Sequence, residues 1–406
     1  MTFPSPNDGD LPLAGVRVLD LSRVLAGPLC TQYLGDLGAE VIKVEAPTVG
    51  DETRGWPPYR NGEGAIFLSL NRNKRSIALD LKTPEGQAIV KRLAARSDVV
   101  IENFGDLVSA RLGVSYEDLK PCNPKMVYCA ISGFGRSGPL KDVPAYDFVL
   151  QAFSGLMSLT GEPGGAPVRS PISPIDQTTG MHAMAGVLAA LLRAERTGKG
   201  AFIEVSLFDT AVGVLAFQLQ TFWETGKQPV KNGSRHLSLC PYQVFEASDG
   251  PFLLAITNDR QWARFCAVAG REELAQDSRY AANPQRVARY AETAALVQEI
   301  IGADTGESWL ARLTPAEVPC SPLNDLASLM RHPHTLARDI LVDYDRPDLG
   351  PTRAVALPII VDGRERTAGT APPRHGEHTD QILAEIGYSE HEIAALHRDR
   401  LVVGSR

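Results

Sequence analysis

The first third of the chain alternates short apolar runs with segments of helical periodicity. Consecutive apolar side chains predict buried strands, and Gly and Pro residues mark their ends. A helix is expected to begin near Pro28, and Thr83 is expected to cap another. Because strands that alternate with helices form a parallel sheet covered by helices, the pattern favours an α/β fold with a Rossmann-like domain. The predicted strands are 16–21, 40–45, 76–81, 99–101 and 126–131.

The loops that follow these strands are the first candidates for a ligand site, because α/β sheets bind ligands beyond the carboxyl ends of their strands. Lys82 and Arg111 lie in or just after such loops, and their cations can hold phosphate groups. For Lys74 and Arg75 the sequence favours ordinary solvated surface charge. The loops to consider are 22–27, 81–82 and 102–105.

A single carboxylate, Asp176, stands where a loop gives way to a long apolar helix. Because Asp is a common N-cap residue, we expect it to cap this helix. Backbone N–H groups and the helix dipole should then keep the carboxylate ionised at neutral pH. Such a carboxylate is either a purely structural cap or a nucleophile for an activated acyl group. The apolar face of the helix comprises Met181, Met184, Val187, Leu188, Leu191 and Leu192.

The pattern of predicted strands and helices changes in the second half of the chain. Two predicted strands, 242–247 and 252–256, flank a turn, and helical segments follow them. This arrangement indicates a smaller α+β domain, and a closing helix is expected at 379–386. The predicted division is 1–205 for the large domain, 206–227 for a linker helix, 228–325 for the small domain, and 326–406 for a linker and a part that returns to the large domain.

Composition narrows the class of protein. The 406 residues are 44% hydrophobic and 22% charged, with a net charge of −7. This acidic balance argues against nucleic-acid binding, which needs a basic patch, and no run of about 18 apolar residues predicts a membrane span. The segment 1–10 is polar and lacks the features of a signal peptide, so we expect a flexible tail on a soluble, cytoplasmic protein.

The six cysteines are scattered and include no Cys-x-x-Cys pair. This spacing favours free thiols in a reducing compartment over a disulfide framework or a structural zinc site. The histidines at 332–334 and 375–378 also lack the i, i+4 pairing of helical zinc motifs. No metal is therefore expected.

Two other enzyme classes have weaker support in the sequence. A dinucleotide site is suggested by Glu45, which ends the second strand where a ribose-binding acid would sit. The first turn, however, holds one glycine, Gly27, where the dinucleotide motif needs three, and Pro28 removes an amide donor. No Gly-x-Ser-x-Gly elbow of a serine hydrolase occurs. An NAD- or FAD-binding protein stays an alternative from a different class.

A series of short motifs runs in a fixed order through most of the chain. These motifs stand at 13–22, 26–28, 37–45, 51–56, 73–76, 98–104, 133–135, 146–147, 154–156, 197–200 and 376–379. Each is a modest signal by itself. In this order and spacing, together with the segment around Asp176, they resemble the family III CoA-transferases, the group that includes formyl-CoA transferase.

The resemblance implies a covalent mechanism centred on Asp176. In that family the aspartate at this position attacks the donor thioester, which gives an aspartyl-acyl anhydride and then an aspartyl-CoA thioester. Amides around Asp176 and Gly180 are the expected oxyanion donors. CoA and acyl-CoA would be substrates rather than tightly bound cofactors, and the family forms interlocked homodimers. The implied CoA contacts are Leu25, Ala26, Leu79, Asp80, Leu81, Lys82, Asn103, Phe104, Gly105, Arg111 and Tyr146.

Departures from the family pattern bear on the substrate. Ala46-Pro47 stands where a basic residue often follows the second strand, which puts a phosphate contact there in doubt. The segment 233–236 runs on without the long glycine-rich loop of formyl-CoA transferase, which weakens an oxalate assignment. The sequence looks more like members that use succinyl-CoA and dicarboxylic acids. Arg54, Arg169 or Arg235 is then a candidate partner for a second substrate carboxylate.

The α-methylacyl-CoA racemases share this fold and supply the alternative activity. Proton transfer needs a second acid–base group, and those enzymes have a histidine just before the aspartate that aligns with Asp147. This chain has Tyr146 there, and a tyrosine hydroxyl, with an ordinary pKa of about 10, suits the role poorly. The sequence therefore predicts CoA transfer rather than racemisation.

Overall fold

The computed structural model describes residues 11–404, and the chain forms two compact units. The larger unit contains the chain up to Leu156, then Ser170–Glu224 and the chain from Leu336 onward. The smaller unit contains Met157–Arg169 and Thr225–Thr335. The domain boundaries expected from the sequence stay a prediction, and the tail expected at 1–10 lies outside the described residues.

The strands fall into one large sheet and three small ones. They are β1 (Arg17–Asp20), β2 (Glu40–Glu45), β3 (Tyr59–Arg60), β4 (Glu63–Gly64), β5 (Lys74–Leu79), β6 (Val99–Glu102), β7 (Val127–Ser132), β8 (Ala201–Ser206), β9 (Tyr242–Ala247), β10 (Gly250–Ala255), β11 (Cys320–Pro322), β12 (Leu341–Arg346), β13 (Gly350–Val355) and β14 (Val402–Val403).

The helices range from single turns to one of 24 residues. They are α1 (Ala26–Asp36), α2 (Ala65–Leu70), α3 (Pro84–Ala94), α4 (Asp106–Arg111), α5 (Tyr116–Leu119), α6 (Asp147–Phe153), α7 (Leu156–Leu159), α8 (Pro174–Thr197), α9 (Leu207–Thr225), α10 (Asp259–Val268), α11 (Glu273–Gln276), α12 (Asn283–Ala288), α13 (Tyr290–Gly302), α14 (Gly306–Leu313), α15 (Leu326–Arg331), α16 (Pro333–Ala337), α17 (Thr379–Glu385) and α18 (Glu390–Arg398). None of them, within residues 11–404, combines the length and apolar character needed to cross a bilayer.

The large sheet has the order β14–β5–β2–β1–β6–β7–β8, and all its neighbours pair in parallel except β14, which pairs antiparallel with β5. Helices cover both faces of this sheet. Successive residues of a strand point to opposite faces, so neighbouring side chains pack against different helices. Val18 packs in a core with side chains of α1 and α8, whereas Leu19 packs with α3 and α17. The predicted α/β class with a parallel sheet is confirmed.

The smaller unit contains the antiparallel sheet β11–β10–β9, whose hairpin was expected from the turn between its strands. Trp262, Phe265 and Trp309 fill its core. In the larger unit, the sequence indicated only a punctuated link near residue 345, but the structure has the hairpin β12–β13 there. A strand forms here because the side chains of β12 alternate. Val342, Tyr344 and Arg346 are buried, and the residues between them are exposed.

Two lysines lie fully buried beneath the carboxyl ends of β1 and β2. Lys74 Nζ is 3.0 Å from Asp20 Oδ2, and Lys43 Nζ is 2.9 Å from Asp51 Oδ2. Burial would raise the pKa of Asp20, but the two ammonium groups hold it at about 2, while burial lowers the pKa of Lys74 to about 8. The expectation of solvated charge at Lys74 is therefore wrong, because the lysine pairs with an aspartate 54 residues away in sequence.

Arg54 belongs to a second buried ion pair. Its guanidinium binds Glu45 with both Nε and Nη2 at 2.8 Å, reaches Glu63 at 2.9 Å, and stacks 3.6 Å above the ring centroid of Phe67. Glu45 thus holds Arg54 rather than a ribose. Arg54 has its donors committed within the protein, so it is not the expected partner for a substrate carboxylate.

Candidate active site

The candidate site is built around the N-terminus of α8. It lies at the end of the large sheet where the parallel strands have their carboxyl ends, which we call the carboxyl edge. The C-terminal end of α8 leads into β8 at the opposite edge, where Gly200 N donates to Pro124 O. A helix that ends at the amino edge must begin at the carboxyl edge, and α1 begins there as well because it follows β1. The first turns of both helices therefore share the edge where parallel sheets bind ligands.

Asp176 is the third residue of α8, not its N-cap. The cap position is Ser173, whose φ of 48° is left-handed and whose side chain makes no capping bond. Pro174 takes the first helical position, where its missing N–H costs nothing. The expected N-cap at Asp176 is wrong because the helix begins three residues earlier, with its cap at Ser173.

Asp147 caps α8 from another helix. Its Oδ2 accepts hydrogen bonds from the backbone N–H groups of Ile175 at 2.8 Å and Asp176 at 3.1 Å. Gln151 donates to the other carboxylate oxygen at 2.5 Å, and Gln151 is itself fixed by Ser170, whose N–H and carbonyl both bond to its amide. A buried carboxylate from α6 thus takes the free donors at the start of α8.

This arrangement changes the electrostatics of Asp176. Burial, reinforced by the negative charge of Asp147, raises the pKa of Asp176 to about 7. The expectation of a fully ionised carboxylate at neutral pH is therefore wrong, because the donors that would have stabilised it already bind Asp147. The amide of Asp176 is likewise not a free oxyanion donor, and the amide of Gly180 lies within the helix, where the backbone ladder uses it.

Gly180 brings α1 and α8 into close contact. A Cβ added at Gly180 would lie 2.7 Å from Ala26 O and 3.3 Å from the Leu29 side chain, so only glycine allows this approach. Asp176 precedes Gly180 by four residues and lies on the same helix face. The structure therefore places the start of α1, including Ala26 and the half-buried Leu25, next to the turn that carries Asp176.

Hydrogen bonds connect the loop after β6 to the loop after β1 at the carboxyl edge. Asn103 follows β6, and its side-chain amide accepts from Arg23 N at 2.9 Å and donates to Arg23 O at 2.8 Å in the loop after β1. The guanidinium of Arg23 lies 5.2 Å from the ring centroid of Phe104, whose N–H donates to Glu102. Gly105, with φ 80°, is the N-cap of α4.

The other residues predicted to contact CoA differ in how far they are exposed. The loop after β5 is shaped by Asp80, whose carboxylate accepts from Lys82 N at 2.9 Å, and the Leu81 side chain is half-buried. Arg111 and Tyr146 are exposed, the tyrosine by 62%. Leu79 is fully buried in β5.

The two other arginines proposed for a second substrate carboxylate belong to the smaller unit. Arg169 is exposed there. Arg235 donates to Asn232 O and lies 5.2 Å from the ring centroid of Tyr290. Among the residues that the structure describes, no cluster of three or more His, Cys, Asp or Glu side chains could hold a metal ion.

Sequence reasoning missed Asp147 and Gln151 as parts of the site. The signal in the sequence was an acid followed four residues later by an amide, which is a common pair on any helix. That the carboxylate caps a helix whose first amides lie 28 and 29 residues further on depends on the tertiary fold. Local pattern alone could not have identified it.

A helix-covered parallel sheet with a partly buried carboxyl group beyond the carboxyl ends of its strands places the candidate site where α/β proteins bind ligands. A sequence model described as CoA-transferase family III matches residues 13–379. The chain therefore belongs to CoA-transferase family III.

Relatives and solved structures agree over most of the chain. A succinate–glutarate CoA-transferase from Agrobacterium fabrum is 42% identical over 387 residues, which cover 92% of this chain and 96% of the relative. An acetyl-CoA:oxalate CoA-transferase from Acetobacter aceti is 40% identical, with coverage of 84% and 88%. The crystal structure of a CAIB/BAIF family protein from Brucella suis superimposes with a TM-score of 0.81 at 39% identity, covering 92% and 99%. The chain is an enzyme of the CoA-transferase type.

Proposed function

We propose that this enzyme moves CoA from succinyl-CoA to a dicarboxylic acid, with Asp176 as the nucleophile. The observation that carries the proposal is the partly buried carboxyl group whose pKa is about 7 at the carboxyl edge of the sheet. A carboxylate becomes a better nucleophile as its basicity rises, and a pKa near the working pH keeps a substantial ionised fraction. An ordinary surface aspartate would be ionised but far less basic.

The cycle uses Asp176 twice in each half-reaction. Its carboxylate oxygen attacks the thioester carbonyl, the C–S bond breaks, and a mixed anhydride and CoA thiolate form. The thiolate attacks the aspartyl carbonyl, which releases succinate and leaves an aspartyl-CoA thioester. The acceptor carboxylate attacks this thioester and expels the thiolate, which then attacks the acceptor's acyl carbon. Acceptor-CoA leaves, and the free carboxylate returns.

The substrate assignment rests on the names of relatives and on one sequence feature. The Agrobacterium fabrum relative is named for succinate and glutarate, which are both dicarboxylic acids. The Acetobacter aceti relative is named for acetyl-CoA and oxalate, so oxalate is the second candidate acceptor. The short segment 233–236, without a long glycine-rich loop, favours the larger dicarboxylic acids. Racemisation is disfavoured by Tyr146, which stands where that chemistry uses histidine.

Two parts of the proposal concern CoA and assembly. The loops that carry Leu25, Lys82 and Phe104 all follow strands at one sheet edge, which supports CoA binding along it. The interlocked homodimer is supported by large apolar side chains left exposed on α9, where Phe217 and Trp223 are 64% and 66% accessible in the single chain. A cytoplasmic enzyme with no tightly bound cofactor remains part of the same proposal.

The proposal predicts a covalent adduct on Asp176. Enzyme incubated with succinyl-CoA alone should accumulate the aspartyl-CoA thioester, because no acceptor is present to discharge it. Peptide mass spectrometry is expected to find CoA, or a hydroxamate after treatment with hydroxylamine, on the peptide that contains Asp176. Enzyme incubated with free CoA is the control. An active preparation that carries the adduct on another residue would exclude Asp176 as the nucleophile.

A second prediction concerns Arg111 as a phosphate ligand. Arg111→Ala should weaken CoA binding by about 10- to 100-fold, because one charge-assisted contact to phosphate is lost, while turnover at saturating substrate changes little. Calorimetric titration with CoA measures the first effect and steady-state kinetics the second. Arg398→Ala is the matched control, since Arg398 is also exposed and also ends a helix. Equal CoA affinity in both variants would contradict the assignment.

A further inference from the structure

Val24 has a backbone conformation that a β-branched residue rarely adopts. Its φ is 69°, in the left-handed region that favours glycine. Such a residue persists only where its surroundings hold it, and these strained positions concentrate at functional sites. Val24 lies in the loop between β1 and α1, directly before Leu25 and Ala26.

Three side chains from other parts of the larger unit hold this loop. The amide of Asn103 makes two hydrogen bonds to the backbone of Arg23, at 2.9 and 2.8 Å. Asp51 accepts from Val24 N at 3.3 Å. Lys43, fully buried beside Asp51, donates to Ser22 O at 2.9 Å. The backbone is thus bonded at the strained residue and at the two residues before it.

The conformation of this loop sets where α1 begins. Ala26, the first residue of α1, presents its carbonyl to Gly180 at a distance that leaves no room for a Cβ. Asp176 stands one turn before Gly180 on α8. A relaxed Val24 would shift the start of α1 and, with it, the backbone that packs beside the reacting carboxyl group.

We infer that Asn103 is a positioning residue, which holds Val24 in its strained conformation and thereby orders Leu25 and Ala26 beside Asp176. Both ends of its side-chain amide bond to Arg23, so in this inference the side chain acts on CoA through the loop. The part of this inference that concerns CoA rests on the proposed function. The mechanical part, in which Asn103 opposes the strain at Val24, does not.

The test is a double-mutant cycle with Asn103→Ala and Val24→Gly. Asn103→Ala should weaken the binding of free CoA about tenfold and raise KM for succinyl-CoA, since two hydrogen bonds that order the loop are lost. Val24→Gly in the same chain should recover most of this loss, because glycine adopts the left-handed conformation without strain. Titration calorimetry with free CoA and steady-state kinetics report the rescue.

A matched control separates rescue from general stabilisation. Asn123 also bridges backbone groups, donating to Ser97 O and accepting from Lys125 N, but it precedes β7 at the other edge of the sheet. Val24→Gly should leave the CoA affinity of Asn123→Ala unchanged. If Asn103 contacts CoA directly, the double variant will bind CoA as weakly as Asn103→Ala, and the inference is overturned.

Unfolding by urea tests the mechanical part without any ligand. If Asn103 opposes the strain at Val24, the double variant should be less stable than the sum of the two single effects predicts, because Val24→Gly relieves strain only while Asn103 still holds the loop. Strictly additive effects would overturn the inference even if CoA binding were normal. Should the parent enzyme fail to bind CoA at all, the proposed function fails, whereas the urea cycle still decides the role of Asn103.

Discussion

Asp176→Asn is expected to abolish CoA transfer while the protein stays folded. The amide keeps the shape of the side chain but cannot form the anhydride, so activity should fall by more than about 1,000-fold. The coupled formation of glutaryl-CoA from succinyl-CoA, followed by liquid chromatography, measures the loss. Free CoA should still bind, because the strand-end loops are unchanged, and this binding shows that the defect lies in the chemistry.

The same substitution should make the protein more stable above neutral pH. The pKa of Asp176 is about 7 when folded, above its ordinary value of 3.8, so the folded protein binds this proton more tightly than the unfolded chain. The contribution of Asp176 is thus favourable in acid and is lost as the pH rises through about 7. Asn carries no such penalty. Allowing for partial exposure, we expect a gain on the order of 2 kcal/mol at about pH 8 that vanishes near pH 4.

Glu195→Gln is the matched control for both effects. Glu195 lies on the same helix, is exposed, and loses the same charge on substitution. The Glu195→Gln variant should retain full transfer activity. Its free energy of unfolding in urea should show no pH-dependent gain. A stable Asp176→Asn protein that transfers CoA at the parent rate, with deamidation excluded by intact mass, would exclude covalent catalysis at this residue.

The sheet could be predicted from sequence because its strands carry their own signal. Val99, Val100 and Ile101 are fully buried in the structure, and such continuous apolar runs are typical of parallel strands covered on both faces. The cap of α3 was also local, since Thr83 accepts from Gly86 N three residues later. In contrast, β14 consists of two residues and exists only because the chain returns to pair with β5.

The site was harder to predict because its decisive interactions are long-range. The position of Asp176 at the start of an apolar helix was visible in the sequence, but its protonation state was not. Local reasoning assigned the first amides of α8 to Asp176 itself, whereas Asp147 takes them from α6. Lys74 was misjudged for the same reason, since nothing near it in sequence reveals Asp20 as its buried partner. Burial and pairing depend on the whole fold.

Asp147→Asn is expected to move the acidic limb of the pH–rate profile to lower pH. Asp147 is the negative charge that, after burial, contributes to the raised pKa of Asp176. Removing that charge should lower the pKa of Asp176, so the carboxylate would persist at a lower pH. The profile of kcat/KM reports groups of the free enzyme, and its acidic midpoint should fall below about 7 while remaining above the ordinary aspartate value.

The variant should also be less stable, because the surrounding hydrogen bonds cannot adapt. An asparagine whose oxygen accepts from Ile175 and Asp176 must turn its NH₂ group towards the NH₂ group of Gln151. Gln151 cannot flip in response, since Ser170 fixes both ends of its amide. Loss of a charged cap together with this donor–donor contact should lower the free energy of unfolding by about 2 kcal/mol.

Two control variants separate the charge from the geometry. Asp142→Asn removes an exposed carboxylate five residues away and should leave both the pH profile and the stability unchanged. Gln151→Leu keeps the charge of Asp147 but removes one of its hydrogen bonds, so it should reduce stability without lowering the acidic midpoint. If Asp147→Asn leaves that midpoint where it is in the parent enzyme, the raised pKa of Asp176 does not depend on Asp147, and burial alone must account for it.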